Sequence, residues 1–374
     1  MAMHSDRFPQ GLALGQNFCN RITEQKHLLQ NIQGSRPTLL MSPRRYGKTS
    51  LVTHVIGQLK IPCADIDLFS ELDEMEIQNS ILTGVAKLVY SIESSTSKAI
   101  QFVTQFFSEL NVSFQYQGAD IKLALNKSRQ PPAKTILDVL NKLDTLLTRK
   151  KRQAVLFFDE FQRVAEISSS GTIEGSLRHV AQQSKTITFI FSGSNRRILE
   201  SMFFDSKKPL YKLCDRINLN RISADDYRPF IQNLAKIKWR KQLDETTLDA
   251  IFYCSECHPY YLNVLCHKLW LEKNIPSEAT VLASWEKYVF EEKSNVLSEI
   301  DLLSKNQVKM LISVAKYADM LRPLSQEFLN MTHFSSSSAL QAIETLCKRD
   351  YLFMDDKNCY HLVDPLIKYL FKKS

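Results

Sequence analysis

Gly47, Lys48 and Thr49 stand in a row, and these residue types can bind phosphate and a metal ion. They fill the last three positions of the phosphate-binding loop pattern G-x-x-x-x-G-K-[ST]. In that pattern the lysine would neutralise the β- and γ-phosphates of a nucleotide, and the threonine hydroxyl would hold Mg²⁺. Amides at a helix N-terminus would add partial positive charge. Ser42 replaces the first glycine of the pattern.

The segments on either side of this loop have the patterns that such a site requires. An apolar run before it predicts a strand over 38–42, and amphipathic spacing after it predicts a helix over 48–60. The sequence therefore predicts a nucleotide-binding loop with the members Ser42, Pro43, Arg44, Arg45, Tyr46, Gly47, Lys48, Thr49 and Ser50.

A pair of carboxylates, Asp159 and Glu160, follows a second apolar run over 154–158. Buried carboxylates are costly unless they are paired or bound to metal. Asp159 would coordinate Mg²⁺, directly or through water, and Glu160 would polarise an attacking water. The alternative is a strand that ends in an acidic turn, and the phosphate-binding loop upstream argues against it.

A third apolar run, over 186–192, ends in small polar residues. If this strand lies between the first two, its tip faces the γ-phosphate, where a hydroxyl or an amide would sense phosphate or orient water. Ser194 is the favoured residue for that role and Asn195 the second choice. Capping of the next helix by Ser192 or Ser194 is an equally good interpretation of each serine.

Strand and helix patterns alternate as far as about residue 220, which indicates an α/β fold with a parallel sheet covered on both faces. The stretch 94–133 interrupts this alternation and is interpreted as an insertion with a helix over 100–110. The predicted strands are 38–42, 63–69, 154–159, 186–192 and 216–220, and the helices are 48–60, 73–93, 134–150 and 173–184.

Only helical patterns follow Ser223, which is predicted to cap the first of them. Three further helices and a β-hairpin over 351–362 then predict a winged helix. The predicted helices are 224–237, 244–255, 258–273, 279–293, 304–317, 324–330 and 336–349. The expected domains are a P-loop core over 1–222 with the insertion 94–133, a helical lid over 223–298 and a winged-helix domain over 299–374.

Composition excludes few classes of protein. The 374 residues carry a net charge of +8, which is compatible with an anionic partner but does not establish one. No apolar run approaches the ~18 residues of a membrane span, and no secretory signal is seen, so a cytoplasmic protein without a membrane partner is expected. Cys254 and Cys257, followed by His258, Cys266 and His267, have the spacing of a metal site, but a packed helix is favoured because no second cysteine pair completes it.

Over nearly its whole length the chain resembles the prokaryotic P-loop ATPases described as predominantly archaeal, in the AAA+/STAND part of the superfamily. The matching segments are Phe18-Cys19-Asn20-Arg21 with Glu24, Pro43-Arg44-Arg45-x-Gly47-Lys48-Thr49-Ser50-Leu51, Asp159-Glu160-Phe161-Gln162, Phe191-Ser192-Gly193-Ser194, Pro209-Leu210-Tyr211, His258-Pro259-Tyr260-Tyr261-Leu262 and Val363-Asp364-Pro365-Leu366.

This resemblance implies an AAA+-like core with sheet order 5-1-4-3-2, a helical lid, a C-terminal winged helix, and ATP with Mg²⁺ as ligands. It also implies that Phe18 and Arg21 lie near the adenine and that His258 and Pro259 close over the nucleotide. A hydrophobic staple before the first helix is the alternative role for Phe18.

The chain departs from the family pattern at three places. Ser42 occupies a position where the family has glycine, and the glycine that usually precedes His-Pro in the family is absent before His258-Pro259. The family's Tyr-Gly-Arg is Tyr211-Lys212-Leu213 here, so its arginine is absent. Arg216 is close by as a substitute, although the interpretation as a strand-edge charge is preferred.

Together these features predict an ATP-binding and ATP-hydrolysing molecular switch. Lys48, Glu160 and Ser194 would be catalytic, and Thr49 and Asp159 would hold the metal. The expected partners are ATP and either another protein or a second copy of the chain. The alternatives are a nucleotide-gated binding module with little turnover and a DNA-binding regulator that acts through the winged helix.

Overall fold

The computed structural model describes residues 7–93, 96–108, 112–117, 120–125, 130–317, 322–354 and 359–372. The chain divides into two compact units. The sheet unit comprises Arg21–Arg44 and Lys48–Asn220, and the helical unit comprises Met1–Asn20, Arg45–Gly47 and Arg221–Ser374.

The sheet unit is built on five parallel strands, which are β1 (Thr38–Met41), β2 (Cys63–Asp67), β5 (Ala154–Asp159), β6 (Ile187–Gly193) and β7 (Asp215–Asn218). Across the sheet they lie in the order β2-β5-β6-β1-β7. If these five strands are numbered one to five in chain order, their order from the other edge is 5-1-4-3-2. The predicted sheet order is therefore confirmed. All residues of β6 and all but the last residue of β5 are buried, as expected for central strands covered on both faces.

The register brings the ends of the central strands to one edge of the sheet. Met41 is paired with Gly193, and Asp67 is paired with Asp159. Since all these strands are parallel, the residues that follow β1, β5 and β6 leave the sheet side by side, at the edge where α/β proteins bind ligands.

Helices of the sheet unit cover the sheet and form one hydrophobic core with it. Helix α3 (Glu74–Ile92) comes close to β2 at Gly84, where an added Cβ would lie 2.6 Å from Ile66 Cγ1, so a larger residue would not fit. The helices are α1 (Ile22–Gln33), α2 (Lys48–Leu59), α3 (Glu74–Ile92), α4 (Thr96–Ser108), α5 (Pro132–Lys150), α6 (Gln162–Ile167), α7 (Thr172–Gln183) and α8 (Arg196–Phe204).

The insertion contains more regular structure than the sequence predicted. The helix expected over 100–110 is α4, which begins at Thr96 and ends at Ser108, and residues 109–110 lie outside the described part. An antiparallel hairpin follows, made of β3 (Val112–Gln117) and β4 (Asp120–Leu125), and it was not predicted. The alternating apolar and polar residues over 112–117 were the available signal.

The helical unit has a single hydrophobic core that includes Phe8 near one end of the sequence and Ile367 near the other. Ser223 caps α9 as predicted, because its hydroxyl accepts a hydrogen bond from the amide of Asp226 at 3.1 Å. The elements are α9 (Ala224–Trp239), α10 (Glu245–Ser255), α11 (Pro259–Trp270), α12 (Glu278–Ile300), α13 (Lys305–Tyr317), α14 (Gln326–Thr332), α15 (Ser336–Lys348), β8 (Leu352–Met354), β9 (Tyr360–Leu362) and α16 (Pro365–Lys372).

Two details of this unit differ from the sequence prediction. Helix α12 ends at Ile300 rather than at 293. It therefore continues past 298, the predicted end of the helical lid. The division into lid and winged-helix domains stays a prediction. Helix α16 was not predicted, since its eight residues are too few for a periodic pattern to stand out. The predicted hairpin turn at 355–358 lies outside the described residues.

None of the helices in the described ranges combines the length and the apolar character that crossing a bilayer requires.

Candidate nucleotide-binding site

The predicted phosphate-binding loop connects β1 to α2, which begins at Lys48. Within the loop, Arg45 (φ 63°) and Gly47 (φ 87°) have left-handed backbone conformations. Ser42 does not, so its position has no need of glycine and accommodates the Cβ. Its side chain is buried, and the hydroxyl donates to the carbonyl of Pro43 at 3.0 Å. The substitution at Ser42 is therefore compatible with the loop.

Lys48 holds its ammonium group over this loop. Its Nζ lies 3.3 Å from the carbonyl oxygen of Pro43 and 3.4 Å from that of Ser42, and the residue is 7% exposed. A buried ammonium group is stable only with such acceptors around it. A phosphate oxygen would be a stronger partner because it carries a full negative charge.

Asp159 lies against the start of α2. One carboxylate oxygen, Oδ2, accepts a hydrogen bond from Thr49 Oγ1 at 2.9 Å. The other, Oδ1, accepts from Ser192 Oγ at 2.5 Å and from the amide of Glu160 at 3.0 Å. The order of the strands produces this arrangement, because β6 lies between β1 and β5.

Glu160 is held by two neighbouring side chains. Its Oε2 accepts hydrogen bonds from Ser194 Oγ at 2.7 Å and from Gln162 Nε2 at 2.5 Å. Helix α8 is capped by Asn195, whose side chain accepts a hydrogen bond from the amide of Ile198. The alternative that Ser192 or Ser194 caps this helix is therefore wrong. Gln162 received no role from the sequence, although it belongs to the Asp-Glu-Phe-Gln segment.

The donors present fit magnesium. The Thr49 hydroxyl and the Asp159 carboxylate are hard oxygen ligands, and Mg²⁺ typically takes one or two protein oxygens and completes its shell with water and phosphate oxygens. The described part of the chain contains no cluster of three or more His, Cys, Asp or Glu side chains able to enclose a metal. At the cysteine pair, burial raises the pKa of the Cys257 thiol to about 11, which disfavours the thiolate that a metal needs.

The two residues expected near the adenine fall in different units. Arg21 precedes α1 in the sheet unit and is 6% exposed. Its guanidinium donates to the carbonyl of Asn220 at 2.9 Å and to Glu24 at 3.3 Å. Phe18 belongs to the helical unit and is partly buried. A contact of either residue with adenine stays a prediction.

Within the helical unit, His258 begins helix α11, with Pro259 as the first helical residue. The His258 side chain is 2% exposed, and its Nδ1 accepts a hydrogen bond from the amide of Tyr260 at 3.2 Å. Its ring lies 4.7 Å from that of Tyr46, and the Arg45 guanidinium lies 4.3 Å from the ring of Tyr260. Closure of His258 and Pro259 over a nucleotide stays a prediction.

Sequence reasoning missed Arg221, which makes several polar contacts within the helical unit. Its guanidinium donates to Tyr46 Oη at 3.3 Å, to Glu256 Oε2 at 2.5 Å and to the carbonyl of Leu362 at 2.9 Å. Glu256 also pairs with Lys368 at 2.7 Å. Burial alone would raise the pKa of Glu256, but the two cations lower it. A single arginine before a helix cap has no sequence pattern, so only its contacts in the folded chain reveal it.

Arg216, weighed as a substitute for the family's arginine, is exposed on the edge strand β7. Its Nε donates to Asn218 Oδ1 at 2.6 Å, and its guanidinium lies 3.8 Å from Glu200.

The buried His258 side chain is expected to make the stability of the fold sensitive to acid. Burial, aided by the positive charges of Arg221 and Arg45, lowers its pKa from 6.5 to about 3. In the unfolded chain this side chain therefore binds a proton below pH 6.5, whereas in the folded chain it does so only near pH 3. Between these values the free energy of unfolding falls as the pH falls, by about 1.4 kcal/mol per pH unit. His258→Asn keeps a capping acceptor without the titration. We expect its free energy of unfolding, measured by urea titration, to depend less on pH.

His179→Asn, at an exposed position of α7, is the matched control and should keep the wild-type pH dependence. Equal slopes for His258→Asn and wild type would contradict the prediction.

Comparisons with known proteins agree with this architecture. A family model described as "Probable winged helix domain" matches residues 295–373. No curated protein matches the chain. The solved structure of the Walker-type ATPase PABY2304 of Pyrococcus abyssi is similar, with 16% identity, a TM-score of 0.65 and coverage of 96% of this chain and 98% of that one.

The Aeropyrum pernix ORC2 protein is similar too, with 12% identity, a TM-score of 0.61 and coverage of 99% of this chain and 96% of that one. These likenesses extend over nearly the full length of both chains. The chain therefore has an α/β P-loop fold of the AAA+ kind with a C-terminal winged-helix domain.

Proposed function

We propose that the chain binds ATP with Mg²⁺, hydrolyses it, and uses the nucleotide state as a switch. The observation that carries this proposal is the hydrogen bond between Thr49 Oγ1 and Asp159 Oδ2 at 2.9 Å. It joins the start of the phosphate-binding helix to the carboxylate pair of β5, as a magnesium nucleotide site requires. The similarity to a Walker-type ATPase and to a protein solved as ADPNP–ADP complexes supports the nucleotide.

In this proposal each residue has one task. The amides at the start of α2 and the Lys48 ammonium bind the β- and γ-phosphates. Thr49 and Asp159 hold Mg²⁺, which supplies positive charge against the charge that develops on the phosphates. Glu160 takes a proton from water while the water oxygen bonds to the γ-phosphorus. The bond between that phosphorus and the β,γ-bridging oxygen breaks, and ADP leaves with the electron pair.

Metal dependence tests this assignment. Asp159→Asn removes the charged oxygen ligand, so we expect the Mg²⁺ concentration that gives half-maximal ATP binding to rise at least ~10-fold, the lower range reported for disturbed metal sites. Calorimetric titration of ATP at several Mg²⁺ concentrations measures this change. Asp138→Asn, on α5 in the same unit, is the control and should leave the dependence unchanged. Metal dependence that survives in Asp159→Asn would contradict the role of Asp159.

The nucleotide state would then control binding of a partner by the helical unit. We favour a protein or a second copy of the chain as that partner. DNA is the second candidate because a winged-helix model matches 295–373 and because Lys305, Lys309 and Lys316 line a surface groove along α13. DNA binding would weaken steeply with salt, since it releases counterions, whereas an uncharged protein interface would not.

A further inference from the structure

Glu160 sits on a backbone that its neighbours force into an unusual conformation. Its φ is 51°, in the left-handed region that non-glycine residues rarely adopt. The next amide, of Phe161, donates to the carbonyl of Ser192 on β6 at 2.8 Å, and the Phe161 ring is fully buried. Residues in such conformations persist only where the surrounding structure holds them, and they cluster at functional sites.

The Glu160 carboxylate is bound asymmetrically. Both of its side-chain hydrogen bonds, from Ser194 and from Gln162, reach the same oxygen, Oε2. Within the described residues no hydrogen bond reaches the second oxygen, Oε1. Two donors on one oxygen fix the rotation of the carboxylate, and they leave the lone pairs of the other oxygen for a water molecule.

The side chain of Gln162 is itself held in a fixed position. The residue is 4% exposed, and the orientation of its amide is determined because a carboxylate oxygen accepts from the NH₂ group only. Its own carbonyl oxygen has no hydrogen-bond partner and faces Gly193. A Cβ at Gly193 would lie 1.9 Å from that oxygen, so the amide keeps this position only while residue 193 is glycine.

We propose that Gln162 is a positioning residue for ATP hydrolysis: together with Ser194 it holds Oε2 of Glu160, so that Oε1 faces the attacking water and receives its proton. This inference rests on the proposed function. Gln162 acts through Glu160 and does not contact the nucleotide. A catalytic group displaced by about 1 Å can lose ~10²-fold in rate, so the effect of losing Gln162 falls on turnover rather than on binding.

The test compares steady-state hydrolysis of Mg-ATP by wild type, Gln162→Glu and Gln162→Ala. Gln162→Glu keeps the shape but places a second carboxylate against Glu160, so we expect kcat to fall ~10²-fold. Gln162→Ala removes one hydrogen-bond donor, and the expected fall is ~10-fold, the effect of losing a single hydrogen bond. KM and the affinity for a non-hydrolysable ATP analogue should stay within twofold. Gln153→Glu, where the native amide donates to Ser35, is the control and should keep the wild-type kcat.

Gly193→Ala supplies a second, independent variant. Its Cβ would displace the Gln162 amide, so kcat should fall as in Gln162→Ala. In the double variant the side chain that clashes is already gone, so adding Gly193→Ala to Gln162→Ala should lower kcat no further.

The failure of this inference and that of the proposed function give different results. If both Gln162 variants keep kcat within twofold while Glu160→Gln abolishes turnover, Gln162 has no positioning role and the proposed function stands. A loss of analogue affinity equal to the loss of kcat would also overturn the inference, because it would show a structural role. If the wild type releases no phosphate from Mg-ATP, the proposed function and the inference both fall.

Discussion

Lys48→Ala is expected to weaken Mg-ATP binding by ~10–10²-fold, since it removes a charge-assisted hydrogen bond worth roughly 1.5–3 kcal/mol to the phosphates. In the wild type the ammonium is already held over the loop by the carbonyls of Ser42 and Pro43, so little ordering remains to be done when a phosphate arrives. Calorimetric titration of both proteins with Mg-ATP measures the difference in Kd.

Two controls make this result specific. Lys134→Ala removes a lysine at an exposed position of α5 in the same unit, and it should leave Kd unchanged. Thermal unfolding of Lys48→Ala without nucleotide would show that the chain still folds. If wild type and Lys48→Ala bind Mg-ATP equally, or if neither binds it, the loop is not a nucleotide site.

Glu160→Gln should reduce phosphate release by ~10³-fold and leave Mg-ATP affinity unchanged. The amide has the size of the carboxylate and its oxygen can still accept from Ser194, but it cannot take a proton from water. General-base catalysis contributes ~10²–10⁴-fold, which sets the expected range. Multiple-turnover phosphate release and calorimetry on the same preparation separate rate from binding.

Glu166→Gln is the matched control, because this residue lies on the same short helix, α6, and pairs with Arg163 at 2.7 Å. It should keep wild-type turnover. Hydrolysis that continues unchanged in Glu160→Gln would remove Glu160 from the role of base. Slow release by the wild type that Glu160→Gln does not lower would instead favour a nucleotide-gated binding module.

The local parts of the fold could be predicted because neighbouring residues encode them. The strands of the sheet and the helices α2, α3, α5 and α7 were placed within a few residues of their observed bounds, whereas no bounds were predicted for α1, α6 and α8. Apolar runs indicated buried strands such as 154–158. Ser223 indicated the start of a helix, because a serine hydroxyl can accept a hydrogen bond from an amide of the first helical turn. The position of Thr49 beside Asp159 followed from a general rule, that the ends of parallel strands share one edge. The sheet order came from the family resemblance, and the register confirmed the shared edge.

Contacts between distant segments could not be predicted, because each depends on where the chain returns in space. The Gln162 amide has room beside Glu160 because β6 lies next to β5 and places a distant residue, Gly193, without a side chain at this point. Arg221 is two residues before a helix cap, and its partners come from as far as Val363, at a separation of 142 residues. Sequence patterns record which face of an element is apolar. They do not record which buried polar groups will meet, since hydrogen bonds need positions accurate to a few tenths of an ångström.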